Sequence, residues 1–264
     1  MTRRFERQVA LITGGGTGIG AAIARRVQQE GGHALIMGRR RAPLESVAKS
    51  LGCGYFAGDA AEASHVRAAL EMARSEFGRL TLLIANAGGH GMGDALSTDD
   101  ASWAQAVHTN LTTAFVSIRE CLPELAEHRG NIVVVSSIAG LFAGPGVVGY
   151  VTMKHALLGL TRSIARDYGP RGVRINALCP GWVRTAMADE QMEEIKAKHG
   201  LASTDEAYKL VTRHVPLRRA AEPDEVASVA CFLASEEAAM MTGSVVVVDG
   251  GAGAVDLPTL AFAD

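Results

Sequence analysis

Short apolar runs alternate with longer amphipathic stretches along nearly the whole chain. Val9–Thr13, His33–Gly38, Cys53–Phe56, Leu80–Ala85, Asn131–Ser136, Arg174–Leu178 and Ser244–Val248 have the length and composition of strands. Some, such as Ile132-Val-Val-Val135 and Val245-Val-Val-Val248, are continuously apolar, which suits parallel strands covered on both faces. Helical patterns fill the intervals at Gly18–Gln29, Pro43–Ser50, Ala63–Phe77, Ser102–Glu127, Val148–Tyr168 and Pro223–Ser235. Regular βα alternation predicts a doubly wound, Rossmann-type α/β fold. No linker, repeat or low-complexity stretch interrupts it, so residues 1–264 read as a single domain.

Two segments depart from the alternation. Residues 182–215 are polar, carry helical patterns near Ala188–Lys198 and Thr204–His214, and follow a strand whose end bears Pro180-Gly181. Ligands of doubly wound sheets bind beyond the carboxyl ends of the strands, so this insertion is expected to cover a substrate as a lid. The tail, residues 252–264, carries Val255, Leu257, Leu260 and Phe262. Such residues fray on a lone domain and are expected to find burial, on their own domain or across a subunit interface.

Composition narrows the class without naming a reaction. A chain of 264 residues, 48% hydrophobic, can bury a large core. A formal charge of −2 gives no electrostatic case for nucleic acid or an anionic membrane. The apolar stretch Val9 to Ile12 is too short for a signal-peptide core, and no span approaches the roughly 20 residues of a membrane helix. The chain therefore reads as a soluble cytoplasmic protein. Cys53, Cys121, Cys179 and Cys231 are widely spaced, and neither they nor the eight histidines have metal-ligand spacing; no metal is expected.

Two motifs carry candidate chemistry. The run Thr13-Gly-Gly-Gly-Thr-Gly-Ile-Gly20 lies between an apolar strand and a helix. Glycine permits close backbone approach, and a helix start presents unpaired N–H groups to a diphosphate. Its spacing is T-G-x-x-x-G-x-G rather than the strict G-x-G-x-x-G. Downstream, Tyr150-Val-Thr-Met-Lys154 puts a phenol and an ammonium on one helix face. A neighbouring ammonium favours phenolate, making the tyrosine usable as acid or base near neutral pH. Ser137 could hold a substrate oxygen against that phenol.

The residues Thr13-Gly14-x-x-x-Gly18-Ile19-Gly20, Asp59, Asn86-Ala87-Gly88, Asn110, Ser137, Tyr150-x-x-x-Lys154 and Pro180-Gly181-x-x-x-Thr185 occur in one order and spacing. Together they resemble the short-chain dehydrogenase/reductase family, including members similar to 3-oxoacyl-[acyl-carrier-protein] reductases. The match runs from about Gln8 to Gly251. One departure is Ala85, where many members carry a second asparagine. The resemblance implies seven parallel strands, a homotetramer, and interconversion of a ketone and a secondary alcohol by hydride transfer. It assigns Tyr150 as acid–base and Ser137 as carbonyl polariser. Lys154 would tune Tyr150 and hold the nicotinamide ribose, and Asn110 would support a water relay. Family spacing selects Ser137 over Ser136.

The resemblance also places the cofactor against Gly14, Gly16, Thr17, Gly18, Ile19 and Gly20 of the turn, and against Tyr150 and Lys154. Asp59 matches the residue that meets the adenine amino group, with Ala60 beside it. Asn86, Ala87 and Gly88 line the adenosine and ribose side; Pro180, Gly181, Val183 and Thr185 lie by the nicotinamide carboxamide. An NAD site wants a carboxylate after the second strand. That strand ends Met37-Gly38-Arg39-Arg40-Arg41, whose guanidinium groups suit a 2′-phosphate, so NADP(H) is expected through Arg39 and Arg40. Two rivals stay open: an NAD-dependent alcohol dehydrogenase of the same family, and a nucleotide-binding regulator without turnover.

For the substrate, Gly89-His-Gly-Met92, the loop Leu141 to Val147, Trp182, Met187 and the lid are mostly apolar or small. They suit a neutral, moderately hydrophobic ketone, with 3-oxoacyl, cyclic-ketone and hydroxysteroid-like substrates all open. A substrate on acidic acyl carrier protein would require a basic docking patch, for which Arg129 and Arg171 are candidates.

Overall fold

Seven parallel strands form one sheet in the computed structural model of the chain, in the order β3-β2-β1-β4-β5-β6-β7. They are β1 Val9–Thr13, β2 His33–Gly38, β3 Gly54–Ala57, β4 Leu82–Ala85, β5 Asn131–Val135, β6 Arg174–Pro180 and β7 Val245–Val248. The structure describes residues 3–89 and 91–262. His90, a candidate pocket residue, lies outside the described residues, as do Ala263 and Asp264 of the tail and the side chain of Leu257. Between the strands lie α1 Gly18–Gln29, α2 Arg41–Leu51, α3 Ala63–Glu76, α4 Asp100–Val107, α5 Thr113–His128, α6 Val148–Tyr168, α7 Ala186–His199, α8 Thr204–Val211 and α9 Pro223–Ala234.

The continuously apolar strands are explained by the two faces they serve. Successive side chains point to opposite sides of a strand. Val9 and Leu11 of β1, with Ile132 and Val134 of β5, therefore join residues of α3, α5 and α6 on one face. Ala10, Ile12, Val133 and Val135 join residues of α1 and α9 on the other. The strand order reverses direction between β1 and β4, and the carboxyl ends of these strands converge on the crevice that positions the site.

Several boundaries differ from the sequence expectation for identifiable reasons. Helix α2 starts at Arg41, two residues before Pro43, because proline is tolerated in a first helical turn where its missing N–H is not needed. The expected helix Ser102–Glu127 starts two residues earlier, capped by Asp99, whose carboxylate accepts from the Ser102 N–H at 2.7 Å. It is then interrupted by a π turn, His108–Thr112, before continuing as α5. Thr109 Oγ1 donates to the Gln105 carbonyl (2.8 Å) and Asn110 Nδ2 to the Ala106 carbonyl (3.1 Å), so side chains compete for the carbonyls of the preceding turn.

The insertion after β6 folds around a small core of its own. Met192 and Tyr208 are fully buried there, with Trp182, Ile195 and Leu201 packed against them. Tyr208 donates its hydroxyl to Asp189 (2.8 Å), and the Arg184 guanidinium stacks 4.4 Å from the Tyr208 ring while pairing with Asp205 (2.7 Å). Among the described residues, no helix is long and apolar enough to cross a membrane.

Candidate active site

The glycine turn is locked to the end of β4 by Thr13 and Asn86. Thr13 Oγ1 accepts from the Asn86 N–H (3.1 Å) and the Ala87 N–H (3.0 Å). Asn86 Nδ2 donates to the Thr13 carbonyl (3.0 Å) and the Gly14 carbonyl (3.2 Å). A Cβ on Gly14 would lie 2.7 Å from Asn86 Nδ2, and φ at Gly14 is +67°, so only glycine fits without strain. A Cβ on Gly20 would strike the Gly14 carbonyl. Thr17 begins α1 without a side-chain cap, and the first turn holds no acidic residue. Its N–H groups are left to an anion.

Beyond this turn runs a cleft of about 580 Å³. Sixteen of the candidate residues line it: Gly14, Gly16, Thr17, Gly18, Ile19, Arg39, Arg40, Asp59, Ala60, Asn86, Ala87, Gly88, Asn110, Tyr150, Lys154 and Thr185. Thr185 lies over the turn, its Cγ2 3.1 Å from where a Cβ on Gly18 would stand. It also caps α7, accepting from the Ala188 N–H at 3.2 Å. Gly20, Ser137 and Pro180 do not line the cleft; nor does Val183, which is buried in the core under α9. Gly181 donates its N–H to the Val248 carbonyl (2.9 Å) and abuts Asp249 too closely for a Cβ.

At one end of the cleft, Arg39 and Arg40 are exposed and, among the described residues, unpaired with any carboxylate. Arg41, by contrast, is committed to Glu45 (3.4 Å) and the Tyr55 hydroxyl (3.3 Å). Burial works to raise the Asp59 carboxyl, but the Ala61 N–H, His108 and Arg39 outweigh it and hold the group below its ordinary range.

At the other end, Ser137 accepts from the Ala139 N–H (3.1 Å) and stands close enough to the Tyr150 hydroxyl to favour its ionised form. Lys154 Nζ lies 5.5 Å from the Tyr150 ring centroid and donates to the Val135 carbonyl (3.1 Å). Burial lowers Lys154 to about 8. Burial also raises Tyr150, more than the nearby Ser137 lowers it. In the free chain desolvation therefore governs both groups, and the phenol stays protonated near neutral pH. Ser136 lines the cleft, and its buried hydroxyl donates to the Lys154 carbonyl (3.0 Å), which ties β5 to α6. Asn110 Oδ1 accepts from the Gly89 N–H (3.2 Å) on the π turn.

Sequence reasoning missed Thr13 as the hub of the turn and His108 beside Asp59, where Nε2 and Oδ2 are 3.3 Å apart. His108 belongs to no local motif, and Thr13, though it opens the glycine motif, acts on partners far away in sequence. Arg129 and Arg171 precede β5 and β6. They therefore lie at the amino ends of these strands, across the sheet from the cleft within one chain.

Comparison with known proteins agrees with this geometry. A family model described as enoyl-(acyl carrier protein) reductase matches residues 14–253. Protein MoaE of Klebsiella aerogenes is 48% identical over 97% of this chain and 99% of its own length. Meso-2,3-butanediol dehydrogenase of Serratia marcescens is 34% identical over 96% of this chain and 97% of its own. The crystal structure of levodione reductase superposes with a TM-score of 0.90 at 30% identity, covering 96% of this chain and 100% of that one. The chain belongs to the short-chain dehydrogenase/reductase family. As a short-chain dehydrogenase/reductase it is an oxidoreductase that binds a nicotinamide cofactor and acts on small molecules. The cleft fits such a dinucleotide, with an uncapped helix start and a cradle that a Cβ would fill.

Proposed function

We propose that this short-chain dehydrogenase/reductase is an NADP(H)-dependent ketoreductase that interconverts a neutral, moderately hydrophobic ketone and its secondary alcohol. The carrying observation is the grouping of Ser137 near the Tyr150 phenol with Lys154 beside the ring, where Tyr150 and Lys154 line one end of a cleft whose other end carries Arg39 and Arg40. A bound reduced nicotinamide supplies hydride to the carbonyl carbon. Tyr150 gives its phenolic proton to the carbonyl oxygen, and Ser137 polarises and orients that oxygen. A phenol kept protonated by burial is loaded as an acid, which suits reduction at neutral pH. With its value near 8, Lys154 is mostly ammonium at pH 7, able to hold ribose hydroxyls and offset the phenolate left after proton transfer. Asn110 fixes the Gly89 backbone beside the pair and supports a water relay to the lysine.

Arg39 and Arg40 favour NADP(H), because unpaired guanidinium groups pair bidentately with a 2′-phosphate while no carboxylate follows β2 to accept ribose hydroxyls. The substrate wall supports the neutral ketone. Met92, Phe142 and Met187 are apolar and exposed, and Met92 Sδ lies 3.9 Å from Gln191 Nε2 of α7. On this reading residues 182–215 close over the substrate, and the protein acts as a cytoplasmic homotetramer. Arg39→Asp should weaken NADPH binding at least about tenfold, the scale of one charge-assisted pair, while improving NADH. Titration of both cofactors into wild type and variant tests this; equal or better use of NADH by the wild type contradicts it.

A further inference from the structure

We propose that His108 is a positioning residue for the purine end of the cofactor site: it holds the Asp59 carboxylate so that the cleft selects a 6-aminopurine over a 6-oxopurine. The proposal rests on the dinucleotide lying with its purine at the Arg39–Asp59 end. His108 is supplied by the π turn rather than by any motif of the glycine-rich or Tyr-Lys type.

The hydrogen-bond inventory fixes the roles. Asp59 Oδ1 accepts from the Ala61 N–H at 2.9 Å, and Oδ2 lies 3.3 Å from His108 Nε2. An ionised carboxylate only accepts, so His108 carries its proton on Nε2. The Asp59 N–H donates to His65 Nδ1 at 3.1 Å; an amide N–H only donates, so His65 carries its proton on the outer nitrogen. Two of roughly four lone-pair sites on the carboxylate are thereby used. The side chain keeps 23% exposure and lines the cleft beside Gly58, Ala60 and His108. What it presents there is acceptor only. A 6-amino group donates to it, whereas a 6-oxo group sets lone pair against lone pair.

The Ala61 N–H restrains one oxygen and leaves the carboxylate free to rotate; His108 restrains the second. The turn that carries His108 is itself held, since Asn110 on the same turn accepts from Gly89 and donates to Ala106. His108 thus reaches Asp59 from an anchored element. Its loss frees the carboxylate to rotate toward solvent and so weakens discrimination more than it weakens binding in general.

The test is the ratio of dissociation constants for NADP⁺ and its hypoxanthine counterpart, read by fluorescence titration on folded protein. Wild type should prefer the adenine form about tenfold, the worth of one charge-assisted hydrogen bond. His108→Leu should bring the ratio to within about twofold, and His108→Gln, which keeps an N–H donor, should recover most of it. Asp59→Asn, whose amide offers donor and acceptor alike, should also erase the preference; it gives a second route if His108→Leu does not fold. A purely structural histidine would weaken both dinucleotides equally and leave the ratio unchanged, which overturns the proposal. So does a wild type that binds both forms equally. A wild type that binds neither instead contradicts the dinucleotide reading of the cleft, and this inference with it.

Discussion

Lys154, proposed for the chemistry, also carries a stability cost. Its side chain is 5% exposed, and burial lowers it from an ordinary lysine value of 10.5 to about 8. Because the folded value lies below the unfolded one, the unfolded chain holds more protons between about pH 8 and 10.5. The penalty is therefore full below pH 8 and is relieved as pH rises toward 10.5. At about 1.4 kcal/mol per unit, the shift corresponds to roughly 3 kcal/mol. Lys154→Met should thus be more stable than wild type at pH 7, with the gap narrowing by pH 9.5. Urea unfolding at both pH values checks this, and a gap independent of pH contradicts it. Ser137, Tyr150 and Lys154 stood out as candidates in the sequence because they lie at fixed spacing in one stretch of chain. His108, and the bonding role of Thr13, did not, because each acts on a partner 49 to 74 residues away, which only the fold brings near.

At the scale of elements, the strands were legible because parallel strands buried on two faces are nearly continuously apolar, as Ile132 to Val135 of β5 are. The π turn was not. His108-Thr-Asn-Leu-Thr112 contains no proline or glycine, and its bulge arises from hydroxyl and amide side chains competing for carbonyls one turn back. The glycine turn lies between these cases, since its glycines were visible but their reasons were not. Gly20 has no positive φ and does not line the cleft; it lets α1 pass close beneath the Gly14 carbonyl and Asn86. Gly20→Ala should cost about 1–3 kcal/mol through overpacking and also weaken cofactor binding, since the same carbonyl and amide shape the turn. Denaturant unfolding with a parallel cofactor titration measures both. A variant unchanged in each would show that the turn is not held by this contact.

Over the whole molecule, the tail begins as an anchored segment and ends exposed. The Asp249 carboxylate accepts from Gly251 (2.8 Å) and Gly253 (2.7 Å), and the Leu217 N–H donates to the Gly250 carbonyl (3.1 Å). Farther on, Phe262 is 90% exposed, as are Met240 at 97% and Val247 of the edge strand β7 at 42%. Exposed apolar side chains of this size favour a partner surface, and the symmetric choice is another copy of the chain. Light scattering at micromolar concentration should give a tetramer, and deletion of residues 257–264 should reduce its size. A monomer, or a deletion without effect on size and activity, contradicts the interface role. Fold class was legible at this scale from βα alternation alone, whereas the private core of the insertion after β6, around Met192 and Tyr208, was hidden by its polar composition.

The central claim is that Tyr150 is the acid–base group of an NADPH-dependent carbonyl reduction. It is tested most directly by following nicotinamide absorbance as wild type and Tyr150→Phe meet a panel of neutral ketones. Wild type should turn over at least one of them. Tyr150→Phe should lose at least about 100-fold in rate, the lower bound for removing a general acid, while binding NADPH nearly as well. Retention of most activity by Tyr150→Phe contradicts the account, as does a wild type that binds NADPH tightly and reduces no ketone.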